Sequence, residues 1–394
     1  MLWSWKDTEF KVKQRYSSDS HGENRSREGT VALNTATGHR TVARSDVSTR
    51  ASINQARCDR PVTNFVFIKV HKTASGSTFL ILARFGRNHG MTMCYPVHAS
   101  HRRLSYQNAR IDRSACRPAL GRNYTLLINH AIMNKTAMDR LMAPGTRYIG
   151  IVRHPLEHFR SMFFYRRSPA EDKSNPLGKY LDNRADYQPG NRRRQKTISK
   201  QKNFQAYTLG FPTKLMASKS TSQINETLRT VADWYSIVLI TDYWEESLVL
   251  LRRTFCWTMY DILHTTKRIH VQRDPKKSAP LTDKQKETHR TLSPIDYNIY
   301  EHFNRTFWER VAKEGPEFWD EVASFKKLNL EVNHHCRKTR KTKRNRVFPG
   351  DKWSQEFAVD STFCKELNWS TAKWSSALLR QLDEHNKEIE MNDK

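Results

Sequence analysis

Residues 67–78 read FIKVHKTASGST, an apolar, strand-like run that ends in His-Lys-Thr and a string of small residues. A lysine, Lys72, and four hydroxyls, Thr73, Ser75, Ser77 and Thr78, stand where a buried strand gives way to the helix expected over Phe79 to Arg87. In a parallel α/β sheet that junction holds phosphate groups, because the first backbone N–H groups of the helix have no partner within it and the helix dipole favours negative charge. The turn is not a Walker A loop, which requires G-x-x-x-x-G-K-[ST]: here the lysine comes first and Gly76 is the only glycine. Without a second element the same residues would also suit an ordinary Ser/Thr helix cap.

The stretch has company along the chain. Four apolar runs, NFVFIKV (64–70), YTLLI (124–128), RYIGIV (147–152) and SIVLI (236–240), read as buried parallel strands, each followed by a polar hinge and a helix-like segment. That alternation predicts an α/β fold with helices on both faces of the sheet. Residues 1–58 are polar, rich in Ser, Thr, Arg and Asn, and read as a disordered stalk or arm. The folded domain is expected over 59–335, with polar insertions near 166–203 and 267–290, and a basic, partly helical extension over 336–394. Insertions this long serve as lids or remain disordered more often than they act as plain connectors.

RYIGIVRHPLEHFRSMFFYRR (147–167) supplies the second element. Arg153 closes a strand, Pro155 takes the first helical position, and Leu156, Phe159 and Phe163 form an apolar stripe while Ser161 lies well around the helix from Phe159. A planar guanidinium at a strand end and a hydroxyl on the next helix can hold one phosphate from two sides.

Composition narrows the class. The 394 residues carry a formal net charge of +28, but much of the excess lies in tracts such as NRRRQKTISKQK (191–202) and RKTRKTKRNR (337–346), the pattern of solvated charge rather than of a nucleic-acid site. No nucleic-acid partner is expected. Six cysteines, Cys58, Cys94, Cys116, Cys256, Cys336 and Cys364, show neither C-x-x-C nor zinc-type His pairing, so no structural metal is expected and fifteen disulfide connectivities stay open. With sequons at Asn24, Asn123, Asn134, Asn225, Asn304 and Asn368, the even cysteine count points to a secretory-pathway lumen. Against this, MLWSWKDTEFKVKQRYSSDS (1–20) has neither a signal-peptide core nor the roughly 20 apolar residues of a membrane span, so no anchor is expected in this chain.

Lys72 in a Ser/Thr-rich strand-to-helix turn, with Arg153 and Ser161 eight apart after a later strand, resembles the sulfotransferase superfamily. More narrowly, FIKVHKTASGST, IVRHPLEHFRSMFFY (151–165), NFQAYTLGF (203–211), DYWEESLVLLRRTFCW (242–257) and YEHFNRTFWERV (300–311) resemble the galactose 3-O-sulfotransferase family, which includes the galactosylceramide sulfotransferases. The similarity runs from about Pro61 to Val311. It implies the sulfotransferase fold, a P-loop-like parallel sheet flanked by helices. It also implies a metal-independent type II membrane enzyme of the Golgi that moves a sulfuryl group from 3′-phosphoadenosine 5′-phosphosulfate to the 3-hydroxyl of a terminal galactose, on a glycolipid such as galactosylceramide or on a glycoprotein glycan. On the same resemblance, Lys72, Thr73, Ala74, Ser75, Gly76, Ser77 and Thr78 hold the 5′-phosphosulfate, and Arg153 and Ser161 hold the 3′-phosphate. Oligomeric state and the identity of the acceptor stay open, the latter because of the basic insert around NRRRQKTIS (191–199).

Such a transfer needs a cation at the sulfuryl group, fixed donors for the leaving nucleotide and a base for the acceptor hydroxyl. Lys72 is the expected cation. For the base, His130 ends the strand run YTLLINH, where an imidazole of ordinary pKa about 6.5 suits proton removal. His71 competes, and Glu245 and Glu246 are a third option on an amphipathic helix. His154 and His158 read as structural. The competing classes are a P-loop-like kinase, which would need magnesium ligands and a Walker lysine, and a non-enzymatic basic protein that binds glycans or nucleic acid.

Overall fold

The computed structural model describes residues 58, 60–97, 111–165, 175–183, 202–216, 220–266, 279–338 and 345–392. These belong to one unit, Asn54–Lys394. Apart from Cys58, the arm expected over 1–58 lies outside the described residues, as does much of both polar insertions.

In chain order the principal elements are β1 (Phe65–Phe67), α1 (Ser75–Asn88), β2 (Leu126–Leu127), α2 (Lys135–Leu141), β3 (Arg147–Val152), α3 (Pro155–Tyr165), α4 (Pro176–Asp182), α5 (Phe204–Thr208), α6 (Thr221–Asp233), β4 (Ile237–Ile240), α7 (Trp244–Phe255), α8 (Met259–Ile262), α9 (Asp283–Leu292), α10 (Pro294–Lys313), α11 (Glu317–Lys338), β5 (Arg346–Phe348), β6 (Phe357–Val359), α12 (Ser361–Leu367) and α13 (Thr371–Asn392). All four predicted strands are present. They form one parallel sheet in the order β2-β1-β3-β4, with Phe65 opposite both Leu126 and Arg147, and Ile149 opposite Ile237. Their apolar runs are buried, as strands covered by helices must be. Gly86 lets α1 lie close against the sheet, since a Cβ there would run into the Leu126 side chain.

The order places β2 on one side of β1 and β3 on the other, so the connection leaving the carboxyl end of β1 (to β2) and the one leaving that of β3 (to β4) run in opposite directions. That topological switch is where ligands bind in open α/β sheets. A smaller apolar cluster sits beside it: Leu156, Phe159 and Phe163 of α3 pack against Leu177, Tyr180 and Leu181 of α4 and Leu281 before α9. Helix α4 thus lies within the first polar insertion, with Pro176 at its start and the Asn175 carboxamide accepting from Gly178 N–H.

Beyond Cys336, α13 buries Trp374, Leu378 and Leu382 in the main core, and Gln381 donates to the Met91 carbonyl at 3.2 Å. Three disulfides close the described unit: Cys58–Cys256, Cys94–Cys116 and Cys336–Cys364. The first is reinforced by Val62 N–H donating to the Phe255 carbonyl at 2.9 Å and by Trp257 Nε1–H donating to the Val62 carbonyl at 3.0 Å. Among the described residues no helix is long and apolar enough to cross a membrane.

Candidate active site

Lys72, the loop after it, His71, His130, Arg153 and Ser161 follow the carboxyl ends of β1, β2 and β3, whereas Glu245 and Glu246 open the helix after β4. After β1 the chain turns through Lys72 (φ 64°) and Ala74 (φ 56°), two left-handed residues flanking Thr73. Each costs on the order of 1–2 kcal/mol in a non-glycine residue. Alternation of this kind turns successive N–H groups to one side, as in anion-binding concavities, and α1 then opens with no side-chain cap on its first amides. Gly76 is helical rather than left-handed, and a Cβ there would meet nothing within 4 Å, so its missing side chain leaves the opening clear.

The hydroxyls divide. Thr73 Oγ1 donates to the Val70 carbonyl at 3.0 Å, and Ser75 Oγ donates to the same oxygen. Thr78 Oγ1 lies 3.4 Å from the Ala74 carbonyl. All three are buried, so these side chains hold the loop's shape, and Ser77 is the half-exposed hydroxyl of the four. Thr241, just past β4, braces the loop from the other side, its Oγ1 lying 3.0 Å from both the Thr73 and Val152 carbonyls.

Two cations converge on this loop. Arg153 Nη1 donates to the Lys72 carbonyl at 3.3 Å, and its Nη2 lies 3.9 Å from Glu157 Oε2. Lys72 is half-buried with its Nζ 4.3 Å from the Tyr165 ring centroid. Burial, and secondarily the Arg153 charge, pulls its ammonium below the ordinary lysine pKa. Glu157, Ser161 and Tyr165 follow at spacings of four along α3 and share one face. Ser161 therefore sits between the side chains that Arg153 and Lys72 touch.

The histidines lie next to this cradle. His130 Nδ1 is 2.8 Å from the Lys69 carbonyl, which makes Nδ1 the donor, so that in the neutral ring the lone pair lies on Nε2. Its ring stacks on His71, with centroids 3.8 Å apart and planes 18° apart. The two candidate bases are thus face to face. His158 is buried, pushed down to about 3 by burial, and so neutral, and its Nε2–H donates to the His71 carbonyl at 2.8 Å. His154 is half-buried beside Tyr297 and Tyr300, with its backbone N–H on Asp242 Oδ2 at 3.0 Å. Glu246 takes Lys326 Nζ at 2.8 Å, and Glu245 lies half-buried in the first turn of α7.

Three supporting residues carry no signal in the sequence reading. Gln205, at 0 % exposure, accepts from Arg153 N–H at 2.9 Å through Oε1 and donates to the Arg153 carbonyl at 3.0 Å through Nε2. Asp296 accepts from Gln205 N–H at 3.3 Å and Ala206 N–H at 2.8 Å. Burial pushes its carboxyl up to about 7 against those hydrogen bonds. Asn203, left-handed at φ 50°, accepts from the Ile295 and Asp296 amides at 3.0 and 3.2 Å. Only the block NFQAYTLGF hinted at this segment. Among the described residues no group of three or more His, Cys, Asp or Glu side chains could hold a metal ion.

The parallel sheet, its diverging connections and the cationic loop place the molecule in the sulfotransferase class of α/β folds. The chain belongs to the galactose-3-O-sulfotransferase family, whose pattern, described as Galactose-3-O-sulfotransferase, matches residues 32–355. It is 30% identical over 260 residues to mouse (Mus musculus) galactose-3-O-sulfotransferase 3, covering 63% of this chain and 57% of that protein. To mouse galactose-3-O-sulfotransferase 2 it is 28% identical over 284 residues, 70% of each chain. To mouse galactosylceramide sulfotransferase it is 27% identical over 286 residues, 70% of this chain and 64% of the relative. The matched part therefore spans little more than half of the first of these relatives.

Proposed function

We propose that the protein transfers a sulfuryl group from 3′-phosphoadenosine 5′-phosphosulfate to the 3-hydroxyl of a terminal galactose. The observation that carries this is the meeting of Lys72 and Arg153 on one left-handed loop at the switch point, beside an imidazole whose lone-pair nitrogen is set by its own hydrogen bond. The residues present fit a nucleotide with two phosphate-bearing ends. Unpartnered helix amides, Lys72 and the clearing above Gly76 suit the phosphosulfate, and Arg153 with Ser161 suits the 3′-phosphate.

In this reading His130 Nε2 takes the proton of the galactose hydroxyl as that oxygen bonds to sulfur. The electron pair of the broken sulfur–oxygen bond stays on the 5′-phosphate, where Lys72 offsets the added charge. Loop amides and Arg153 hold the nucleotide so that attack is in line. The acceptor is a galactose-terminated glycolipid or glycoprotein glycan, and the presence of a galactosylceramide sulfotransferase among the relatives supports the first. Golgi placement on the lumenal side is part of the proposal, supported by the three disulfides.

Equilibrium binding of adenosine 3′,5′-bisphosphate, the desulfated product, followed by transfer of labelled sulfate to a panel of galactosides, tests the proposal. Absence of bisphosphate binding refutes it, and the panel separates lipid from glycan acceptors.

A further inference from the structure

Arg153 is the first residue past the β3–β4 ladder, whose last pair is Val152 with Ile240. Among the described residues no strand partner reaches its backbone, residue 155 is a proline, and the N–H of His154 is held by the Asp242 carboxylate. The guanidinium is therefore only as well aimed as side chains from elsewhere make the backbone beneath it.

We propose that Gln205 is the positioning residue for Arg153, gripping its N–H and C=O together as a neighbouring strand would. This rests on the reading of Arg153 as the 3′-phosphate ligand. The carboxamide is fully buried and matched at both ends, with Oε1 on the N–H at 2.9 Å and Nε2 on the carbonyl at 3.0 Å. Gln205 in turn stands on α5, five residues long, too short to hold a direction by its own hydrogen bonds. Its first amides are held by Asp296 from the start of α10, while the Asn203 carboxamide accepts the Ile295 and Asp296 amides. Each helix start is thus capped by a side chain from the other. The left-handed backbone that this asks of residue 203 is one that asparagine tolerates better than most residues. The reciprocal cap fixes α5, α5 aims Gln205, and Gln205 sets the backbone from which the Arg153 side chain reaches the Lys72 loop.

The test is a binding series on the whole chain with two probes, adenosine 3′,5′-bisphosphate and adenosine 5′-phosphate, which differ only in the 3′-phosphate. Gln205→Met keeps length and volume without polar atoms. It should weaken the bisphosphate about ten-fold or more and leave the monophosphate within about two-fold. In an Arg153→Ala background it should change neither probe further. Asp296→Asn should show the same selective loss to a smaller degree. Gln205→Glu, which keeps the acceptor for the Arg153 N–H and opposes the carbonyl with an oxygen, serves if the methionine variant does not fold. Equal loss of both probes, or an undiminished effect of Gln205→Met once Arg153 is alanine, overturns the inference. A wild-type protein that binds both probes equally overturns the 3′-phosphate reading beneath it instead.

Discussion

Replacing Arg153 with alanine should separate the two ends of the donor nucleotide. Among the described residues the guanidinium makes one long bond, 3.3 Å to the Lys72 carbonyl, and a 3.9 Å approach to the half-exposed Glu157. Pairs of that kind contribute roughly 0–1 kcal/mol, so the fold should lose little. Its value lies with the ligand: a charge-assisted bond contributes about 1.5–3 kcal/mol, and a guanidinium can offer two. The side chain is 28% exposed, which screens part of that, leaving roughly 2–4 kcal/mol, or about 30- to 900-fold in affinity. Arg153 also depresses the Lys72 pKa, and its removal lets Lys72 hold its proton more firmly, so binding at the 5′ end should not weaken. Calorimetric titration at one fixed salt concentration should therefore show the loss for adenosine 3′,5′-bisphosphate and less than about three-fold for adenosine 5′-phosphate. Ser161→Ala should move the same way by about 1–2 kcal/mol. Equal losses for both nucleotides would show that Arg153 does not meet the 3′-phosphate.

Lys72→Ala should lower kcat by about 100-fold or more, since a donor aimed at developing charge is typically worth roughly 3–4 kcal/mol, while bisphosphate affinity falls less than turnover; near-normal turnover would return the loop to a purely structural role. His130→Ala should abolish transfer to galactosides with product-nucleotide binding intact, whereas His71→Phe, which keeps a ring against His130, should retain most activity. A positioned base is worth about 100- to 10,000-fold, so more than a tenth of wild-type turnover in His130→Ala rejects its role, and a larger loss at His71 transfers it there. Stability should climb with pH below neutrality. Burial holds His158 and His289 down to about 3 and His264 to about 4, so the unfolded chain takes up three protons below about 6.5 that the native rings refuse. Asp296, raised to about 7, opposes this: its contribution is present at low pH and is lost as pH rises through 7. Glu321, also raised by burial, opposes it too, while the lowered His154 and His302 add to it; the histidines outweigh the two carboxyls, giving on the order of 1–3 kcal/mol per pH unit between about pH 4.5 and 6. Urea midpoints that stay flat or fall over that interval would refute the assignment.

The strands were legible because burial on both faces demands continuous apolar runs closed by polar hinges, whereas the comparable runs FLILA (79–83) and LVLL (248–251) follow small or acidic helix-starting residues and are helical. Arg153 was legible for a related reason, since a charge at the end of such a run followed by a helix-starting proline can only sit at the rim of the sheet. Direction was not legible. Thr73 and Ser75 satisfy a phosphate-loop pattern and a loop-bracing pattern equally well, and only the fold shows both hydroxyls turned onto Val70. Nor could spacing show that His71 and His130, 59 positions apart, lie ring on ring, or that Gln205 and Asp296 meet across 91 positions. In the tail, the charged tract 337–346 draws attention from Trp374, Leu378 and Leu382, whose spacing of four is the signature of a buried helix face.

The same hidden contacts explain why the site tolerates its own electrostatics. Two cations share a half-buried crevice, the Arg153 charge disfavouring that of Lys72, with the partly exposed Glu157 carboxylate 3.9 Å from Arg153. The loop between them carries two left-handed non-glycine residues. Left alone, such an arrangement would relax by letting Arg153 swing to solvent and the loop unwind. It is held from within and without instead: the loop's own Thr73 and Ser75 clamp the Val70 carbonyl, Thr241 bridges to β3, His158 holds the His71 carbonyl, and Gln205 fixes the backbone of Arg153. Every one of these braces is neutral, a hydroxyl, a carboxamide or an imidazole kept uncharged by burial. A carboxylate in any of those places would neutralise the cations and compete with an anionic ligand. Neutral bracing adds no further negative charge beside Glu157 and Asp242 and keeps the cations aimed, the preorganisation that the proposed phosphosulfate transfer calls for.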